Sequence, residues 1–350
     1  METSSFFFDL PEELIAQTPA DRRDHTRLMV CSFQADDEAE PVEHMRTADF
    51  AELVPANAVV VVNDSRVRKS RILARREHAG GSRECEVLFL SSDANGSVWD
   101  VILGRAGRHP ENGVYHLPGG RSGTISSRNE QTFHMTLDRA LEEPWFQEHG
   151  HVPLPPYIRR DDSFEDEERY QTVYAKEIGS AAAPTAGLHF TTDILDRMRS
   201  RGVQIAPVTL HVGIGTFAPI RTESIETHHM HEERYHISED SARIINQAVK
   251  DSRPVVAIGT TSVRTLESAV DNTGFVCAGS AATSLYIYPG YEFRIVREMF
   301  TNFHTPGSSL VVMVSAFAGT GRIRRLYQTA IEKRYRFFSY GDAMYLRRRD

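Results

Sequence analysis

The sequence has 350 residues, of which 40% are hydrophobic and 25% charged, with three cysteines and a net charge of −8 at pH 7. This composition is typical of a globular chain with room for two domains, and it argues against a uniformly basic nucleic-acid binder. Because the cysteines are odd in number and no apolar run approaches the ~20 residues that span a bilayer, we expect a cytoplasmic protein without a disulfide framework.

The N-terminal part contains a short buried strand that ends in polar residues. Helices are predicted over 11–17 and 47–54, followed by a strand at 58–62 made almost entirely of valine. In α/β sheets, ligands bind at the carboxyl ends of the strands. Asp64 and Arg66, which follow this strand, are therefore candidate ligand-binding residues.

Between residues 67 and 152 the pattern changes to short runs with a period of two residues. Strands are predicted over 84–90, 98–103, 114–117, 123–126 and 131–137, with a helix over 138–147. Glycine, asparagine, aspartate and proline separate these runs, as in a small antiparallel barrel or sandwich. We therefore expect residues 67–152 to form an inserted β-barrel-like domain, and residues 1–66 and 153–350 to form one discontinuous α/β domain.

In the C-terminal half, strand and helix signals alternate. Thr191 or Thr192 can cap a helix that ends at Gly202. Further strands are predicted over 203–212, 255–258, 284–288 and 310–315, and helices over 238–250, 263–270 and 322–337. This alternation is typical of an α/β domain.

The stretch 170–190 is expected to organise the site. Its centre has no apolar period, and it is too poor in charge for a solvated linker, unlike the acidic run 161–168 before it, which we expect to be solvated. Small residues between Gly179 and Gly187 allow close approach of the backbone, and His189 could carry a proton. A site loop and a tight buried crossover both fit this composition.

Three further segments offer groups that bind anions or nucleosides. Residues 259–262 place backbone N–H groups and hydroxyls at a strand-to-helix turn, which suits an anion or a carboxylate. Residues 288–291 and 301–306 combine aromatic and polar side chains that could stack a base or hold a ribose.

Two motif matches are weaker. Residues 213–218 fit the loose dinucleotide fingerprint, but proline follows where a helix should begin. His231 and His236 are five residues apart, which does not fit the helical zinc motif, in which the two histidines are four apart. An extended segment would place His229 and His231 on one face, so a polar wall that supplies protons is favoured, with zinc and a plain surface cluster as alternatives.

Basic residues are concentrated in two segments. Residues 66–76 carry six basic residues and no acid, and residues 321–350 carry nine against three acids. Either segment could contact a polyanion, or its arginines could simply face solvent.

Together these segments resemble the S-adenosylmethionine:tRNA ribosyltransferase-isomerase family of queuosine biosynthesis. The matching stretches are NDSRV (63–67), PLPPYI (153–158), RYQTVYA (169–175), AAPTAGLHF (182–190), LHVG (210–213), GTF (215–217), GTTS (259–262), TNFH (301–304) and YRFFSYGD (335–342). Three positions depart from the family pattern: Ser65 replaces a common threonine, Thr305 a usual leucine, and Arg297 a usual acid. The last departure casts doubt on a carboxylate role at that position.

The resemblance implies an α/β domain that carries a β-barrel-like insert. It also implies that the ribosyl part of S-adenosylmethionine is transferred to 7-aminomethyl-7-deazaguanine at the tRNA wobble position, which gives epoxyqueuosine and releases adenine and methionine. S-adenosylmethionine would be consumed as a cosubstrate, with no separate cofactor and no metal, by a monomer that does not contact membranes. The alternative is a non-catalytic tRNA- or nucleotide-binding protein on the same fold.

Such a reaction requires a base beside the sulfonium, an acid for the departing adenine, and groups that hold ribose hydroxyls and an amino acid. We expect His189 and His211 to transfer protons, with His229 and Glu232 in reserve. The expected substrate-binding residues are Asp64, Arg66, Tyr170, Gln171, Thr185, Gly187, Gly213, Thr260, Thr261, Arg264, Asn302 and His304. The residues expected to bind tRNA phosphates are Arg68, Arg71, Lys333 and Arg336.

Overall fold

The computed structural model describes residues 1–34, 41–78, 81–104, 112–128, 132–213 and 219–348. Within these ranges the strands are β1 (Arg27–Phe33), β2 (Val42–Arg46), β3 (Val59–Asn63), β4 (Ser65–Val67), β5 (Arg71–His78), β6 (Gly81–Ser92), β7 (Val98–Gly104), β8 (Val114–Leu117), β9 (Arg121–Arg128), β10 (Phe133–Leu137), β11 (Glu177–Ser180), β12 (Gln204–Leu210), β13 (Glu233–Ile237), β14 (Val255–Ile258), β15 (Gly279–Thr283), β16 (Glu298–Asn302) and β17 (Ala343–Arg348). The α-helices are α1 (Phe50–Leu53), α2 (Glu143–His149), α3 (Phe164–Arg169), α4 (Thr192–Ser200), α5 (Glu239–Lys250), α6 (Gly259–Ala269), α7 (Ser309–Ala318) and α8 (Thr320–Glu332).

A nine-stranded mixed sheet forms the centre of the larger part of the molecule, in the order β15-β13-β12-β3-β14-β16-β17-β1-β2. Strands β12, β3, β14 and β16 are adjacent and parallel. Their neighbours β13 and β17 run antiparallel to them. Since β1 to β3 precede the barrel in the chain and β12 to β17 follow it, the sheet is built from both ends of the sequence.

Both faces of this sheet are covered. Val59 and Val61 of β3 pack into the core on the side of α5 to α8, whereas Val60 and Val62 pack on the opposite side, against α1 and α4. Successive side chains of a strand point to opposite faces, so a strand that is buried on both faces must be apolar throughout. This explains the uninterrupted valine run.

Strands β5 to β10 form a closed antiparallel barrel in the order β10-β7-β6-β5-β8-β9. Its interior is apolar and includes Ile72, Val87, Trp99 and Ile125. A Cβ at Gly123 would collide with the side chain of Met135, so glycine is required where β9 pairs with β10. The fold class predicted from the sequence, α/β with an inserted antiparallel barrel, is confirmed, and the domain limits at 66/67 and 152/153 stay predictions.

Several predicted elements were wrong. Residues 310–315 lie in helix α7, not in a strand, because the helix is buried on nearly all sides and its apolar run therefore shows no helical period. Residues 284–288 form no regular element and follow β15 instead. Residues 11–17 contain only a 3₁₀ turn, Glu12–Leu14.

The acidic run 161–168 is not simply solvated, because it begins helix α3 and buries one of its carboxylates. Asp166 is 1% exposed and accepts hydrogen bonds from Arg160 (2.6 and 2.8 Å), from Tyr340 (2.7 Å) and from the backbone and hydroxyl of Ser163. Although burial disfavours its ionised form, these donors hold the pKa of Asp166 well below its usual range.

Candidate functional site

The carboxyl ends of the parallel strands bring many of the sequence candidates to one edge of the sheet. Asp64 follows β3, His211 follows β12, Gly259 follows β14, and His304 lies two residues beyond β16. Because β13 runs antiparallel to β12, its first residue, Glu233, lies at the same edge. This is the edge at which open α/β sheets bind ligands.

A crevice opens at this edge, and part of the stretch 170–190 borders it. The lining residues are Ala183, Pro184, Thr185, Ala186, Val212, Gly259, Thr260, Thr261, Thr301, Asn302, His304 and Leu310. Gly259 has a φ of +86°, and a Cβ there would lie 3.3 Å from Ala186. A Cβ at Gly187 would collide with the hydroxyl of Tyr174. The small residues therefore allow tight packing and also line the crevice. The segment thus has features of both the site loop and the buried crossover.

His189 is enclosed in a hydrogen-bonded network and is 3% exposed. Asn302 Nδ2 donates to Phe338 O (3.2 Å) and to His189 Nε2 (2.9 Å), so that ring nitrogen is an acceptor. The other ring nitrogen, Nδ1, then donates to Thr26 Oγ1 at 2.8 Å. Asn302 Oδ1 accepts from Thr185 Oγ1 at 3.0 Å, which ties the central stretch to the end of β16.

Burial, reinforced by Arg23 and Arg336, lowers the pKa of His189 to about 3. The imidazole is therefore neutral, and both of its nitrogens already have partners. These contacts favour a positioning role for His189 over the proton transfer expected from the sequence, which stays a prediction.

His211 is in a different environment. Its Nδ1 is buried and has no hydrogen-bond partner among the described residues. Burial and the neighbouring Arg68 lower its pKa, so the neutral base form predominates at neutral pH. Gly179, with a φ of +146°, makes room for the ring, because a Cβ there would lie 3.0 Å from His211 Cε1.

At the end of β3, side chains form the hydrogen bonds to β12 that backbone groups form earlier in the strand. Asn63 donates to Leu210 O at 3.0 Å and accepts from Leu210 N at 3.1 Å, which clamps β3 to the end of β12. Next to it, the Asp64 carboxylate accepts from Thr209 Oγ1 at 2.7 Å. Burial and the nearby Glu177 raise the pKa of Asp64.

Helix α6 begins directly at Gly259, so residues 259–262 form its first turn. Thr260 is 7% exposed, and the Thr261 hydroxyl is buried without a hydrogen-bond partner in the described structure. One turn later, Arg264 is 3% exposed and forms an ion pair with Glu233. Gly213, which precedes residues outside the described ranges, donates its N–H to Glu233 Oε1 at 2.8 Å.

His304 lines the crevice with its ring nitrogen Nε2 2.8 Å from Thr301 Oγ1. Burial lowers the pKa of His304 to about 3. Tyr170, by contrast, is fully buried away from the crevice and packs against Tyr340 with ring centroids 5.9 Å apart.

Arg66 and Gln171 belong to a second, larger groove of 1170 Å³, between residues 18–23 and 160–173. The Gln171 amide accepts from Val67 N at 3.0 Å and donates to Val67 O at 2.9 Å. This amide thus acts as a structural bridge to β4.

His229 and Glu232 are exposed, in an irregular segment that enters β13 at the same edge as the crevice. In the described parts of the chain, no group of three or more His, Cys, Asp or Glu side chains could hold a metal ion. No helix within the described ranges is long and apolar enough to cross a membrane. The fingerprint match at 213–218 lies, beyond Gly213, outside the described residues.

Most of the residues expected to bind tRNA have partners within the chain. Arg68 pairs with Glu143 at 2.8 Å, and Arg71 pairs with Asp162 at 3.1 Å and with Glu86. Arg336 is half-buried, and its guanidinium donates to the backbone of Thr18. Lys333 is exposed.

Sequence reasoning missed Thr26, Thr209 and Glu233. The first two act through hydroxyls that bond His189 and Asp64, and no local pattern marks a threonine for such a role. Glu233 carried a signal, since it ends the histidine-rich segment 228–233 and is the first residue of β13, which pairs with β12.

The comparisons with known proteins agree with this arrangement. The profile of the family described as "Queuosine biosynthesis protein" matches residues 3–346. The chain belongs to this family. It is similar to two proteins named S-adenosylmethionine:tRNA ribosyltransferase-isomerase: one from Treponema denticola, 45% identical over 98% of this chain and 99% of the relative, and one from Acetivibrio thermocellus, 43% identical over 99% and 100%.

Among solved structures, the crystal structure of S-adenosylmethionine tRNA ribosyltransferase from Thermotoga maritima is similar, with a TM-score of 0.55 and 28% identity over 98% of this chain and 100% of that one. The resemblance inferred from the sequence motifs is confirmed by these matches.

Proposed function

We propose that this member of the queuosine biosynthesis family is an S-adenosylmethionine:tRNA ribosyltransferase-isomerase. It would transfer and isomerise the ribosyl part of S-adenosylmethionine onto 7-aminomethyl-7-deazaguanine at the tRNA wobble position, forming epoxyqueuosine and releasing adenine and methionine. Two relatives that carry this enzyme's name, at 43% and 45% identity over nearly the whole chain, support the proposal.

One structural observation carries the assignment of the site. The His211 Nδ1, the Thr261 hydroxyl and the Arg264 guanidinium all have buried atoms without hydrogen-bond partners among the described residues. His211 follows β12, whereas Thr261 and Arg264 both belong to the first two turns of α6, and all three lie at one edge of the sheet. Because buried polar atoms without partners are costly, their presence at the edge of the sheet that carries the crevice supports a polar ligand there.

In this proposal His211 removes the proton that the sulfonium makes acidic. Its lowered pKa keeps the imidazole neutral, and Nδ1 is available to accept the proton. Thr260 and Thr261 would hold ribose hydroxyls at the start of α6, and Asp64 would lie beside them at the end of β3. His189 and Asn302 would hold the segment 183–186 in place.

For tRNA, the exposed cations are better candidates than the paired ones. Arg66 and Lys333 are exposed and, within the described ranges, form no ion pair. Their charges would neutralise phosphates without breaking an internal contact. The cytoplasmic location and the monomeric state expected from the sequence stay predictions.

The test is a product assay with purified chain, S-adenosylmethionine and a tRNA anticodon stem-loop that carries 7-aminomethyl-7-deazaguanine. We expect equal amounts of adenine and methionine, and a nucleoside with the mass of epoxyqueuosine. A stem-loop with guanine at the wobble position is the control and should release no adenine. Binding of both substrates without any product would favour the non-catalytic alternative.

A further inference from the structure

Arg264 is a buried cation whose donors are only partly used. It lies in the second turn of α6, its side chain is 4% exposed, and it forms an ion pair with Glu233, whose side chain is 5% exposed. Nη2 is the atom that contacts Glu233, whereas Nε is buried and has no hydrogen-bond partner in the described structure. A charged donor buried without a full set of acceptors is destabilising, so a ligand that supplies acceptors is the simplest explanation.

Glu233 fixes the position of the guanidinium. Its Oε1 accepts the N–H of Gly213 at 2.8 Å, and its Oε2 faces Arg264. The Glu233 carboxylate therefore occupies one side of the Arg264 guanidinium, which has five N–H donors in all. The remaining donors are therefore oriented before any ligand arrives.

Arg264 and the Gly213 that bonds Glu233 adjoin residues that line the crevice. Arg264 is one helical turn after Thr260 and Thr261, and Gly213 follows Val212; the two threonines and the valine line the crevice. A guanidinium fork matches the geometry of a carboxylate, which it binds through two parallel hydrogen bonds. A polynucleotide backbone is a poor fit for an arginine that is 3% exposed.

We propose that Arg264 binds the α-carboxylate of the methionine part of S-adenosylmethionine and that Glu233 is the residue that positions it. This inference rests on the proposed function. A buried pair of opposite charges is complementary to the zwitterionic end of an amino acid, because the substrate's ammonium can lie near Glu233 while its carboxylate contacts Arg264. Thr260 and Thr261 then remain available for the ribose.

The experiment compares S-adenosylmethionine with its decarboxylated analogue as ribosyl donors. We expect the wild-type protein to favour S-adenosylmethionine in kcat/KM by about 10- to 100-fold, the value of hydrogen bonds to a charged group. Arg264→Met should lower kcat/KM for S-adenosylmethionine by a similar factor. The kcat/KM for the decarboxylated analogue should stay nearly unchanged, and so should the KM for tRNA. Arg243→Met, which removes an exposed arginine paired with Asp240 on α5, is the matched control.

A variant that keeps the wild-type preference would overturn the proposal. If Arg264→Met does not fold, Arg264→Lys carries the test, because a point charge cannot form the paired hydrogen bonds and the preference should fall about 10-fold. Glu233→Gln should raise the KM for S-adenosylmethionine more than that for the analogue, with little change in kcat; equal effects on both donors would exclude the positioning role.

Should the wild-type protein release no adenine from either donor, the proposed function fails. The binding inference is then tested by calorimetry with the same two compounds and the same variants. The inference is supported if wild type binds the decarboxylated compound more weakly than S-adenosylmethionine and Arg264→Met binds the two compounds equally. Equal binding of both compounds to wild type would overturn it.

Discussion

The junction between the barrel and the large sheet differs from the crevice in how its basic side chains are paired. At the junction between the barrel and the large sheet, Arg68 and Arg71 pair with acids, and Arg68 also lies over the Trp99 and Phe146 rings at 5.4 and 5.2 Å. Next to residues that line the crevice, His211 Nδ1 and Arg264 Nε are buried without partners among the described residues. Charge in a sequence does not distinguish structural from functional residues. Burial without a partner indicates a ligand only next to a crevice, because the hydroxyls of Ser32 and Ser70 are also buried without partners elsewhere in the described structure.

The largest expected effect separates the two central histidines. His211→Ala should lower turnover by ~10²-fold or more, the scale of general acid–base catalysis, and leave the free energy of unfolding nearly unchanged. His189→Ala should also reduce turnover but with lower stability, because it removes hydrogen bonds to Thr26 and Asn302. Turnover and urea unfolding of both variants are the measurements.

His116→Ala, on the exposed surface of the barrel, is the control for these two variants. If His211→Ala turns over at nearly the wild-type rate, His211 is not the general base, and His229 and Glu232 are the next candidates to test. A loss of turnover in His189→Ala without any loss of stability would restore His189 as a proton carrier.

The next effect concerns pH. Burial lowers the pKa of both His189 and His304 to about 3, below the ordinary value near 6.5. The unfolded chain therefore binds more protons below pH 6.5, so stability is complete above that pH and falls as the pH drops towards 3. Between pH 7 and pH 5 we expect a loss of about 2 kcal/mol for each histidine.

Urea midpoints at pH 7 and pH 5 measure this loss. His304→Asn should remove about half of the loss assigned to the two histidines, whereas His116→Asn, at an exposed barrel position, should change nothing. If the variant lacking His304 loses as much stability as wild type, the folded protein accommodates the charged imidazole.

A smaller effect is expected for tRNA binding. Neutralising Arg66 and Lys333 should weaken it severalfold and reduce its dependence on salt, because these exposed charges would contact phosphates. Arg71→Ala should instead lower stability, since it removes the arginine that pairs with both Asp162 and Glu86. Filter binding of tRNA at several salt concentrations, together with urea unfolding, distinguishes phosphate binding from a structural role. If Arg71→Ala weakens tRNA binding at unchanged stability, Arg71 does contact tRNA.

Chelation is expected to have no effect. The spacing of His231 and His236 does not fit a helical zinc motif, and the proposed reaction requires no metal. Activity before and after EDTA is the measurement, and a loss restored by zinc would refute this expectation.

Elements set by local signals were predictable from the sequence, whereas long-range contacts were not. The valine run of β3 and the Ser238 cap of α5 were predicted, because periodicity and capping are local. Helix α7 was mistaken for a strand, since burial on all sides removes the helical period. The different roles of His189 and His211 could not be separated, because Thr26, which bonds His189, is 163 residues away in the chain.

The most direct test of this account is a crystal structure with S-adenosylmethionine and the anticodon stem-loop bound. Electron density for S-adenosylmethionine should lie in the crevice at the ends of β3, β12 and β14, with its carboxylate against Arg264 and the carbon beside sulfur within reach of His211. Density in the 1170 Å³ groove lined by Arg23, Arg66 and Arg160 instead would contradict it.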